Sequence, residues 1–293
     1  MAVVRSLLSL FPDSPPVQVH ANAKPFLKWA GDKSRLVPLI RACLPPARRL
    51  IEPFAGSAAL WLATAYPAAL IADVNDDLIR LYQTLQAEGP DFIAYCRTFF
   101  TPETNTQDVY YALRERFNIT TNSREKAALF VYLNRHCYNG LCRYNESGYF
   151  NVSFGGYRQP YFPEAEMWMF WQKAQKAQFW AADFRQVLAA AEPGDVVYCD
   201  PPYVPLTATA SFTNYVAEGF GPDEHQALAT WAKRLASQGI FVIVSNHATP
   251  WTKELYRSAT RLALSVPRSI SKDGTGRHAA AELLAIFAPK DEA

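Results

Sequence analysis

An α/β fold is predicted by three short apolar runs, each ending at an acid and two of them set against helical spacing. Arg49-Leu50-Ile51-Glu52 runs into Pro53-Phe54-Ala55-Gly56-Ser57-Ala58 and then an apolar helix starting near Ala59. Ala69-Leu70-Ile71-Ala72 stops at Asp73, and Val196-Val197-Tyr198-Cys199 stops at Asp200-Pro201-Pro202-Tyr203. Ligands of open α/β sheets collect outside the carboxyl ends of the strands, so each of these stops marks a candidate site.

Composition bounds the rest. A chain of 293 residues, 49% hydrophobic, can bury a large core, arranged as one domain with a sizeable insertion or as two. A net charge of +2 says little about nucleic acid, so any basic footprint is local. The five cysteines include no Cys-x-x-Cys pair, which fits reduced thiols and argues against a structural zinc. Residues 1–23 carry only a short apolar run among Pro12, Pro15 and Pro16, and read as a flexible arm rather than a signal peptide. Nothing approaches the roughly 18 consecutive apolar residues of a membrane span.

In chain order, Phe26-Leu27-Lys28-Trp29-Ala30-Gly31-Asp32-Lys33 precedes a helix with Leu36, Leu39, Ile40 and Leu44 on its pattern. Its Gly-Asp-Lys-Ser end lacks the glycine spacing of a phosphate loop. Helical spacing spans Gln107 to Phe117 and Arg124 to Leu133. Arg135 to Tyr161 interleaves Arg135, Arg143 and Arg158 with Tyr138, Tyr144, Tyr149, Phe150, Phe154 and Tyr157, a mix that suits nucleic acid and equally a surface loop with aromatic staples. Glu164 to Ala177 reads as a helix with Met167, Phe170, Trp171 and Ala174 in the core. Gln178 to Trp180 reads as a strand, Phe184 to Ala191 and Pro222 to Ser237 as helices, and Phe241 to Ser245 as a strand followed by Asn246 and a capping or surface His247. Val204 to Gly221 lacks periodicity and reads as a flap. Arg261 to Arg268 and Ala281 to Ala288 form two strands around a basic turn, Lys272 to Arg277.

The chemistry sits at the strand ends. Gly56 precedes Asp73 by 17 positions, close to the roughly 20 between a glycine turn and a ribose-binding acid. At Asp200-Pro201-Pro202-Tyr203, a carboxylate and a carbonyl can each accept one N–H of an exocyclic amine, while a tyrosine stacks on the base. A strand followed by a proline-rich turn would use the same residues.

Together, Phe26 to Lys33, Glu52 to Ala58, Asp73 and Asp200 to Tyr203 resemble the Dam-type S-adenosylmethionine-dependent DNA adenine-N6 methyltransferases. So do Tyr132 to Arg135, Tyr138 to Asn145, Gly148 to Val152 and Pro160 to Glu166, which are similar to that family's target-recognition region. The resemblance implies a Rossmann-like methyltransferase sheet with a terminal antiparallel hairpin and a mostly helical recognition insertion. Residues 24–75 and 178–293 would form the catalytic domain and 76–177 the DNA-reading domain. It implies S-adenosylmethionine held by Trp29, Lys33, Phe54, Gly56, Asp73 and Asp200, with Asp200, Pro201, Pro202 and Tyr203 catalytic and no metal. Lys28, Leu141 and Arg143 would face bases, Tyr138 would insert beside a flipped adenine, and Asn145 would hold the backbone. The expected substrate is 5′-GATC-3′ in duplex DNA, handled by a cytoplasmic, nucleoid-associated monomer with no obligate protein partner. The alternatives are an RNA or protein-glutamine methyltransferase, or a non-catalytic DNA-binding relative. Four positions depart from the family pattern: Asp32 and Ala58 stand where glycines are usual, Ser153 where a proline is, and Gly156 where a basic residue is. The first pair implies altered turns around a retained pocket, the second pair altered specificity.

Overall fold

The computed structural model describes residues 24–31, 33–34, 36–204, 219–266 and 280–289. The arm, Asp32, the Lys272 to Arg277 turn and the flap between Val204 and Gly219 lie outside the described residues. The chain is a mixed α/β protein that divides into two compact units, one drawn from Met1–Pro46 and Ala55–Ala182, the other from Ala47–Phe54 and Asp183–Ala293.

The first unit contains α1 (Val37–Ala42), α2 (Ala59–Leu62), β2 (Ala68–Asp73), α3 (Asp76–Glu88), α4 (Pro90–Arg97), α5 (Gln107–Ile119), α6 (Ser123–His136), α7 (Glu164–Ala174) and β3 (Ala177–Ala181). β2 and β3 pair in parallel, with Asp73 opposite Ala181. Asn75, Thr106 and Asn122 each accept a backbone N–H as N-caps of α3, α5 and α6, which fixes where those helices start. An aromatic cluster of Phe26, Trp61, Tyr82, Phe170 and Phe179 forms the core beside the strands. α7 ends earlier than its pattern predicts, because the Gln86 amide donates to the carbonyls of Ala174 and Ala177 and Ala177 starts a strand. Trp171, expected in the core, is only half-buried and packs edge-on against exposed Trp168.

The second unit contains β1 (Arg49–Glu52), α8 (Phe184–Ala189), β4 (Asp195–Cys199), α9 (Pro222–Ser237), β5 (Phe241–His247), α10 (Pro250–Leu255), β6 (Thr260–Val266) and β7 (Ala280–Phe287). β4 lies between β1 and β5, all parallel. β7 then pairs antiparallel with both β5 and β6, the terminal hairpin the sequence predicts. β4 and β5 are apolar on both faces, as strands in the middle of a covered sheet must be. β5 runs two residues further than predicted, since Asn246 and His247 pair with Leu283 and Glu282. No described helix is long and apolar enough to cross a membrane.

Each unit buries one histidine that burial keeps neutral. His136 stacks on Tyr132 and bonds its carbonyl, and His225 lies between Phe220 and Trp251; both are lowered to about 4. The unfolded chain protonates them near 6.5, so between about pH 6.5 and 4 it binds more protons than the folded one. Stability is therefore full above that window and falls through it on acidification, by on the order of 3 kcal/mol per histidine. Thermal melts from pH 8 to pH 5 should show this fall, and His136→Gln should flatten it.

Candidate functional site

In the first unit, β2 ends at Asp73, whose carboxylate is enclosed by main chain. Its Oδ2 accepts the N–H of Gly56 at 3.0 Å and its Oδ1 the N–H of Asn75 at 3.0 Å. Burial raises the Asp73 pKa, and the N–H groups of Asn75, Gly56 and Val74 oppose that rise. Gly56 has φ +47, and a Cβ there would stand 2.7 Å from Trp29 Nε1, so the indole edge occupies the space that only glycine leaves. The Tyr82 hydroxyl donates to the Gly56 carbonyl at 2.5 Å, and the Ala55 N–H donates to Ala72. Gly56 thus lies between Trp29 and Asp73. Lys33 folds back so that its Nζ donates to the Gly31 carbonyl at 2.8 Å.

Ala58 takes the left-handed conformation, φ 57 and ψ 32, while fully buried. The turn keeps the shape a glycine would give it, at a cost of about 1 kcal/mol.

The same unit assembles the residues predicted to read DNA. Asn134, near the end of α6, accepts the Lys28 N–H at 2.9 Å and donates to the carbonyls of Lys28 at 2.7 Å and Gly140 at 3.3 Å. One side-chain amide therefore holds two distant segments. Gly140, φ +66, has no room for a Cβ, which would sit 2.4 Å from that of Lys28. Lys28 Nζ lies 4.5 Å from the centre of the Tyr157 ring, and burial together with Arg135 lowers its pKa. Tyr138 is 54% exposed, its N–H held by the Ser153 carbonyl at 2.9 Å. Leu141 follows, half-buried, its carbonyl facing Cys137 Sγ.

Arg143 opens a small hairpin that closes at Asn151 through the Asn151 N–H to Arg143 carbonyl bond, 3.1 Å. Arg143 is exposed and donates through Nε to Asn151 at 2.7 Å. Asn145 Oδ1 accepts the N–H groups of Ser147 and Tyr149, so the donor end of its amide is the end that faces outward chemistry. Tyr144 reaches inward to Asp77 at 2.9 Å, and Asn118 both accepts from and donates to the Phe150 backbone. Ser153 and Gly156 are exposed, and a Cβ on Gly156 would meet nothing within 4 Å.

In the second unit, Asp200 follows β4 directly and accepts a hydrogen bond from buried Ser245 at 3.0 Å. Pro201 is buried, and Tyr203 donates to Glu282 at 3.1 Å with its ring edge-on to His247. Asn246 accepts the Val204 N–H and His247 Nδ1 meets the Val204 carbonyl at 2.7 Å, so the chain leaving the motif is clasped at both of its polar groups. His247 belongs to β5 and to this clasp; it is neither a cap nor a surface residue. Phe54 stacks on Phe184 at 5.5 Å and meets Phe220 edge-on at 5.5 Å. Those two partners, like Asn134 and Ser245, escaped the sequence reading. Phe184 and Phe220 flank helix starts, where an apolar residue reads as ordinary core.

These strand ends can be compared with known proteins. Residues 29–270 match the family model described as D12 class N6 adenine-specific DNA methyltransferase. The chain belongs to that family. The methyltransferase is 45% identical over 265 residues to a protein named DNA adenine methylase from Vibrio cholerae O395, covering 90% of this chain and 96% of the relative. It is 47% identical over 263 residues to the DNA adenine methylase of Serratia marcescens, with 89% and 97% covered, and 45% identical over 264 residues to that of Escherichia coli K12, with 90% and 95% covered. The methyltransferase is therefore an adenine-specific DNA-modifying enzyme of the Dam type.

Gly140→Ala should destabilise the methyltransferase by about 2 kcal/mol, from left-handed strain and the clash with Lys28, and Asn134→Ala by a similar amount, from orphaned backbone groups. Because both loosen the Lys28 segment, urea melts of the double variant should show a loss smaller than the two added together.

Proposed function

We propose that the methyltransferase moves the methyl group of S-adenosylmethionine to N6 of an adenine flipped out of duplex DNA, within 5′-GATC-3′. The observation that carries this reading is the carboxylate of Asp200, fixed at the end of a buried strand by Ser245 and followed by a residue whose nitrogen cannot donate. Such an end accepts hydrogen bonds and offers none from Pro201, which suits an –NH2 group with two protons to give.

S-adenosylmethionine supplies an electrophilic methyl carbon on a sulfonium. The residues present fit it: Asp73 keeps lone pairs beyond those taken by Gly56 and Asn75, which a ribose diol can use, and Phe54 with Phe184 and Phe220 offers an aromatic surface for a purine. Gly56 borders the acid with Trp29 against it, and Lys33 would join them in holding the cofactor, as the resemblance implies. Asp200 and the Pro201 carbonyl accept the two N6 hydrogens, drawing the nitrogen lone pair away from the ring and toward the methyl carbon. S-adenosylmethionine held by these residues would supply the methyl carbon with its sulfide as leaving group, and the Asp200 carboxylate would take up the proton that N6 gives up. Tyr203 stacks on the extruded base and offsets part of the few kcal/mol that unstacking costs.

The DNA-facing roles rest on the resemblance at the residues that the first unit carries. Residues 76–177 form the recognition insertion; Lys28, Leu141 and Arg143 read bases, Tyr138 fills the gap the adenine leaves, and Asn145 donates to a phosphate. The GATC target rests on the resemblance at those positions.

The test is methyl transfer from labelled S-adenosylmethionine to two matched duplexes, one holding a single GATC and one with that site scrambled, with nucleoside analysis. N6-methyladenine only in the first supports the reading; label in both would transfer suspicion to Ser153 and Gly156, and label in neither, with cofactor bound, would turn the search to RNA or protein acceptors. Asp200→Ala should abolish transfer while both ligands still bind, and equal activity would sink the assignment. Gly56→Ala should instead remove cofactor binding in equilibrium dialysis, because its Cβ has nowhere to go beside Trp29.

A further inference from the structure

Behind the Asp200 motif lies a hydrogen-bonded chain that the reaction as written does not use. Ser245 sits on β5, fully buried, in the strand next to β4. Its Oγ is 3.0 Å from Asp200 Oδ1, 3.3 Å from the Cys199 carbonyl and 2.9 Å from the Tyr198 hydroxyl. A serine has one proton to give. The carboxylate is the closer and the charged acceptor, so the proton goes there, and the Tyr198 phenol must then donate to Oγ.

We propose that Ser245 is a positioning residue for methyl transfer: with its hydroxyl fixed as a donor by Tyr198, it orients the Asp200 carboxylate and holds it ionised for the incoming amine. The inference rests on the adenine-N6 reading of the site.

The surroundings make such a donor matter. Tyr198 and Cys199 on β4 and Tyr203 beyond them all feel the Asp200 charge, with Glu52 on β1 acting on Tyr198 and Cys199, Glu282 on β7 acting on Tyr198 and Tyr203, and His247 against Tyr203. Burial and the Asp200 charge raise the Tyr198 and Tyr203 phenols well above their ordinary values, so both stay protonated donors. A hydrogen bond donated to a carboxylate favours its charged form, and Ser245 Oγ stands 3.0 Å from Asp200 Oδ1. Ser245 bears on both the orientation and the charge of Asp200. The adjoining Asn246 and His247 clasp of Val204 shows the same strand end gripping the motif's backbone.

Two variants separate this role from simple packing. Ser245→Ala deletes the donor but strands the Tyr198 hydroxyl; the double variant Tyr198→Phe with Ser245→Ala removes both polar groups and keeps the fold intact. In each, the acid limb of the kcat against pH profile should move up by about one pH unit and kcat at pH 8 should fall about tenfold, while KM for the duplex stays within about twofold. An unmoved limb in the double variant, whatever its kcat, overturns the proposal. A second readout needs no turnover: with 13C-labelled aspartate, and the Asp200 signal assigned through Asp200→Asn, the titration midpoint of Asp200 should rise in both variants, and an unchanged midpoint overturns the proposal as well. If the wild-type protein leaves duplex adenine unmethylated while that midpoint still rises, the acceptor reading fails and the Ser245 assignment stands.

Discussion

A carboxylate at the end of a buried strand has to be answered by donors, and each unit of this methyltransferase is arranged around one such answer. A charge left without partners in that setting costs several kcal/mol. For Asp73 the partners are main-chain N–H groups, which is why the turn before α2 bends back to bring Gly56 against it, and why Trp29 can close over a residue without a side chain. For Asp200 the answer is a serine hydroxyl from the next strand, itself held by a tyrosine. The first solution builds a rigid cradle from backbone. The second brings a side-chain donor to the acceptor from the neighbouring strand.

Much of the fold could be read in advance because its strands are continuous apolar runs that end in acids or prolines. Pro222 to Ser237 carries a proline start, an acidic first turn and a helical stripe, and the helix has those bounds. Reading failed where a tertiary partner decided the matter. α7 stops at Ala174 because Gln86 takes its carbonyls, and β5 extends through His247 because β7 runs beside it. α10 carried a local signal that went unused, a Thr249 cap before Pro250.

The site was legible where chemistry and sequence position coincide. Gly56 and Asp73 are neighbours in space because the turn, the short α2 and the strand between them bring the chain back so that the Gly56 N–H meets the acid at the strand end. Asn134 and Ser245 were not legible, because a polar residue inside a buried helix or strand gives no hint of which distant backbone or carboxylate it serves. Ala58 is the opposite lesson: an alanine holds the left-handed conformation that glycine adopts freely, since Ala55 to Leu62 is pinned on both sides by backbone bonds.

The hairpin from Arg143 to Asn151 hangs from the helices by Asn118, which grips the N–H and carbonyl of Phe150, and by Tyr144 on Asp77. The first of these grips holds main chain, which any replacement residue would also present. Its outward positions are therefore free to vary without disturbing the enzyme beneath. An evolving lineage could exchange the outward residues of the hairpin one at a time while its anchorage stays constant, so what the hairpin presents would be a setting rather than a fixed part.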